Sequence, residues 1–76
     1  MTPAKIFCDD FGNVASIAEG KGRPYKDAPE LVTEYTLALF AKYDNNKMYF
    51  LSVYETEADA REKLKEFSCG TFKEIA

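Results

Sequence analysis

Acid–base chemistry in this chain would have to come from Asp9, Asp10, Glu34 or Glu55, each working with one of five tyrosines. These carboxylates show no fixed mutual spacing, and turns, caps and solubility explain each of them. There is no histidine, so the commonest general base and the commonest metal ligand are both missing. Two cysteines, Cys8 and Cys69, cannot make a structural zinc site; in a reducing compartment they read as thiols rather than a bridge. The reading is therefore of a protein that is not an enzyme, with no catalytic residue, no cofactor and no metal expected.

Two further groups invite a chemical interpretation. Asp10-Phe11-Gly12 spells the magnesium-binding tripeptide of protein kinases, but the glycine-rich loop, strand lysine and catalytic loop that give it that role are missing. It reads as a turn with Gly12 in the left-handed conformation. Lys21, Arg23 and Lys26 surround Tyr25 in EGKGRPYKDAP, and with Lys42 they are the candidate contacts to a nucleic-acid backbone. Their spacing is not that of a phosphate-binding loop, so the plain reading is a solvated loop. A net charge of −3 and a pI near 4.9 also argue against a polyanionic partner. Arg61 to Glu66 alternates in sign, as a wet helix face does.

The elements that hold these residues are clearest between Glu34 and Phe67. Tyr35–Tyr43 and Met48–Tyr54 are rich in aromatic, β-branched and aliphatic residues and flank the polar cluster Asp44 to Lys47, which predicts a long β-hairpin. A three-residue loop with Asn46 left-handed would set Tyr43 opposite Lys47, then Ala41 opposite Tyr49, Leu39 opposite Leu51 and Leu37 opposite Val53. That register sends Leu37, Leu39, Leu51 and Val53 to the core, and gathers Phe40, Met48, Phe50 and Tyr54 on the other side. Thr56, with Glu57 and Asp59 behind it, marks a helix start; Ala60, Leu64 and Phe67 form its apolar stripe, and Gly70 its stop.

The chain thus reads as a single α+β domain, a small two-layer fold. An antiparallel-rich sheet of four to five strands carries one amphipathic helix on one face. Its parts are an N-terminal hairpin over 1–19, a loop over 20–30, a central hairpin over 31–55, the helix over 56–68, and a C-terminal strand over 71–75 returning beside the central hairpin. No apolar leader follows Met1 and no window reaches membrane length, so a cytoplasmic protein is expected with no membrane partner. One short helix cannot roof such a sheet. Phe40, Met48, Phe50 and Tyr54 are therefore the expected contact for a protein partner, either another chain or a second copy, unless the N-terminal hairpin folds over them. The alternative function is single-stranded nucleic-acid binding on the same aromatics.

Overall fold

The computed structural model describes residues 4–76; residues 1–3, which begin the expected first hairpin, lie outside the described residues. The elements are β1 (Lys5–Cys8), β2 (Val14–Gly22), β3 (Val32–Ala41), β4 (Lys47–Tyr54), α1 (Glu57–Leu64) and β5 (Lys73–Glu74). All five strands form one antiparallel sheet in the order β4-β3-β2-β1-β5, with α1 against one face.

Alternation along the strands decides which face is core. Leu37 and Leu39 on β3 are fully buried, and their neighbours Ala15 and Ile17 on β2 and Phe7 on β1 lie beside them under Ala60 and Leu64 of the helix. Tyr35, Phe50, Tyr54, Phe67 and Phe72 pack around this cluster. Thr56 starts the helix as expected: its hydroxyl accepts from the Asp59 N–H at 3.1 Å.

The central hairpin departs from the expected register. Residues 42–46 are looped out as a short 3-10 turn followed by two left-handed asparagines, Asn45 (φ 55°) and Asn46 (φ 60°), so that Ala41 pairs with Lys47. Two extra loop residues would leave the faces unchanged. A β-bulge does not: Phe40 pairs with Met48 but Leu39 with Phe50, leaving Tyr49 over, and this single-residue slip exchanges the two sides of β4. Phe50 and Tyr54 therefore lie on the helix side, and Leu51 and Val53, expected in the core, lie on the other. The expected set Phe40, Met48, Phe50 and Tyr54 is divided between the two faces.

Three other expectations are revised. The N-terminal hairpin does not fold over the sheet; β2 runs on through Gly22 and pairs with β3 as far as Val32, extending the sheet sideways and shortening the loop to 23–31. The C-terminal strand runs in the direction of β4, as a strand after a helical crossover does, but it lies three strands further away, against β1. The helix ends at Leu64 rather than near Phe67.

The segment that follows the helix is tied to Asp9. Its buried carboxylate accepts from the N–H groups of Phe11 (2.9 Å) and Asn13 (2.8 Å), from the Asn13 side chain, and from the Ser68 hydroxyl. Ser68 and Cys69 are held left-handed (φ 51° and 53°), which no helix accommodates. Burial alone would raise the Asp9 pKa, but the hydrogen bonds from Ser68, Asn13 and Phe11 outweigh it and bring it below the ordinary 3.8. A carboxylate with a depressed pKa contributes stability above its unfolded pKa and loses that contribution as pH falls through the folded value. Asp9→Ala is expected to cost about 1–3 kcal/mol at pH 7 by urea denaturation. The difference from wild type should shrink below pH ~4; a constant difference between pH 7 and 2.5 would refute this role.

Candidate interaction surface

Among the described residues, no helix or strand packs along the side of the sheet away from α1. Register places Ile6 and Cys8 there from β1, Val14, Ser16 and Ala18 from β2, and Thr36, Ala38 and Phe40 from β3. From β4 come Met48, Leu51 and Val53, the last two opposite Ala38 and Thr36. Glu34 lies at one end and Lys73, paired with Cys8, at the other corner; between them this side carries no charge. The uncharged area is four strands wide and about six residues long, roughly 15 by 20 Å. The largest apolar patch of a single chain is commonly a few hundred Å² and is often functional; here the area is uncharged, with the hydroxyls of Ser16 and Thr36 among its apolar side chains.

The most exposed large side chains of this surface are at the β4 edge. Met48, Leu51 and Val53 are 46%, 58% and 52% exposed, whereas Val14, Ala18 and Phe40 are half-buried and Ala38 is buried. Phe50 and Tyr54 instead belong to the covered side, where the Phe50 ring meets Phe67 at 5.0 Å between centroids. Tyr49, the bulged residue, also touches Phe67, at 6.4 Å and nearly edge-on.

The basic residues do not converge. Lys21 donates to the Thr33 hydroxyl and Arg23 to the Ala28 carbonyl within the β2–β3 loop region, and Tyr25 and Lys26 are exposed there. Lys42 follows the other end of β3, ten residues and about 30 Å away, with its side chain lying across Gly12 (φ 86°).

The carboxylates weighed for acid–base chemistry are likewise distributed. Asp9 is saturated by its turn, and Asp10 is exposed next to it, its N–H donating to Thr71. Glu34 and Glu55 do meet, together with Arg23 and Tyr54, in an open depression of about 220 Å³. Sequence separation concealed this, because only the β3–β4 pairing makes them neighbours. Glu57 bonds Lys5 (2.9 Å) and Arg61 (2.7 Å), and Arg61 also bonds Glu74 (2.8 Å). The hydrogen bonds from Lys5 and Arg61 lower the Glu57 pKa, and those to Glu74 and Glu57 raise that of Arg61. The network ties β1, α1 and β5 together.

Both cysteines are free thiols, Cys69 exposed and Cys8 partly so. Among the described residues no group of three or more acidic, cysteine or histidine residues could hold a metal, and no helix is long and apolar enough to cross a membrane. No protein-family model, curated protein or solved structure matches the chain.

The exchange of faces changes what mutations on β4 should do. Leu51→Lys and Val53→Lys are expected to shift the unfolding free energy of dilute protein by less than about 1 kcal/mol. Phe50→Lys, which places an ammonium beneath Phe67, should cost more than about 2 kcal/mol. Chemical denaturation of the three variants distinguishes this register from its alternative, in which the order of effects is reversed.

Proposed function

We propose that this chain is a small non-catalytic interaction module, working in the cytoplasm, that docks a protein along β4 and the adjoining bare side of its sheet. The observation that carries the reading is the line of exposed, uncharged Met48, Leu51 and Val53 on a strand at the edge of the sheet. Water gains nothing from this arrangement; burying such a side chain from full exposure contributes about 1.5–3 kcal/mol, and with each already about half covered roughly half of that is left to gain. The carboxylates with the most developed environments support the same reading from the other direction. Asp9 is occupied with the first turn and Glu57 with ion pairs between elements. Free thiols at Cys8 and Cys69 suit a reducing compartment.

Acidic net charge and the parting of Lys42 from the Lys21–Lys26 loop weigh against the nucleic-acid alternative.

A photo-cross-linking amino acid at position 51 tests the proposal in cells that produce the protein. Discrete protein adducts are expected from position 51 and none from position 62 on the wet side of α1. Equal labelling at both positions, or adducts to nucleic acid alone, would overturn it.

A further inference from the structure

Of the two edges of the sheet, one is protected and one is not. β5 presents two residues, and a short edge is one of the devices that keep sheets from pairing with one another. β4 presents eight, and from Met48 to Tyr54 they read MYFLSVY, with no charge, no proline and no glycine. Such a segment pairs readily with another strand wherever its edge is open. We propose that the β4 edge is occupied by β4 of a second copy of this chain, antiparallel about a two-fold axis at Leu51, joining the two sheets into one. The proposal rests on the interaction reading above and names its partner.

The register follows from the strand itself. The bulge makes Met48 and Tyr49 count as one position, and Leu51 is then the midpoint of Lys47–Tyr54. Pairing about that point sets Leu51 against Leu51 of the second copy, Val53 against Met48, Phe50 against Ser52, and Lys47 against Tyr54.

Every one of these pairs joins residues from the same side of the sheet, as antiparallel neighbours must be. Met48, Leu51 and Val53 are on the bare side in both copies, and Lys47, Phe50, Ser52 and Tyr54 on the helix side. The strand's only cation, Lys47, then lies within the length of the partner strand, against the uncharged Tyr54, with no like charge facing it. A two-fold about Ser52 would instead run Lys47 past the end of the partner strand, toward Thr56 and a Glu57 already bonded to Lys5 and Arg61. Leu51 and Val53, the most exposed large apolar side chains in any strand, are the ones the Leu51-centred pairing covers.

Cysteine cross-linking in a Cys8→Ser, Cys69→Ser background reads the register directly. Residues paired across an antiparallel axis have Cα atoms about 4.5–5.5 Å apart, within disulfide range, whereas two copies of residue 53 would lie about 13 Å apart. Leu51→Cys should give a disulfide-linked dimer on mild oxidation at least tenfold faster than Val53→Cys. In sedimentation equilibrium the wild type should approach twice the 8.6 kDa chain mass at high micromolar concentration. Leu51→Lys, which would set like charges directly opposite each other across the axis, should weaken dimerisation at least tenfold. A strict monomer at that concentration overturns the proposal; if position 51 nevertheless cross-links a different protein, the interaction reading stands and only the partner is wrong. A dimer that cross-links through position 53 in preference to 51, or one that Leu51→Lys leaves as tight as the wild type, overturns the β4 pairing.

Discussion

A helix of eight residues is about 12 Å long, and it lies on a sheet of five strands that is about 20 Å across. That disproportion governs the fold. α1 can shield one face at the centre, so the fully buried leucines, Leu37 and Leu39, lie there, and the rim is completed by aromatics reaching in from β3, β4 and the C-terminal segment. Chain length goes into widening the sheet rather than into a second layer, since β1 and β2 extend it sideways and β5 closes the far edge. One side is therefore left to solvent or to a partner.

Asp9 solves a different problem in so small a domain, that of fixing the tail of the chain. The carboxylate organises the β1–β2 turn and, through Ser68, anchors the segment between α1 and β5 to the same place. Left-handed backbone at Ser68 and Cys69 has a conformational cost of order 1–2 kcal/mol per residue, which this hydrogen bond and the packing of Phe67 on Phe50 offset. The Lys5–Glu57–Arg61–Glu74 network supports the same closure from the helix side. β5 itself is two residues long, and it is these side-chain ties, together with the main-chain bonds between Ile6 and the last two residues, that hold it at the edge.

Much of this was legible in the sequence where local chemistry decided the outcome. Thr56 caps the helix, Gly12 and Asn46 take left-handed conformations, Ala60 and Leu64 are buried, and the architecture is the expected antiparallel sheet with one helix on one face. What escaped was set by contacts distant in sequence. Nothing in Asp44 to Lys47 announces a bulge at Tyr49, yet that one residue transfers Phe50 and Tyr54 to the core side and Leu51 and Val53 to the open side. The segment after the helix is tied through Ser68 to a residue 59 positions earlier, which periodicity cannot reveal. The expectation of a bare apolar side did not depend on register, because both sides of β4 are apolar; its membership did. Phe50 lies on the covered side and Leu51 on the open one.

The distribution of side-chain size on the bare side bears on how a partner would meet it. Ser16, Ala18, Thr36 and Ala38 make the middle of that side shallow, and Gly20 and Gly22 extend the small-residue run along β2. Two such surfaces stacked face to face would bring little apolar bulk together at the usual 10 Å spacing between sheets. The bulk is at β4, where Leu51, Val53 and Met48 stand at the border with open water. An association that covers these three and also satisfies the outward-facing amides of an edge strand gains from burial and from hydrogen bonding at once. A face-to-face contact would gain only the burial and would leave the longer edge unpaired. The geometry of the bulge and the placement of bulk thus favour the same site, and they favour it as an edge.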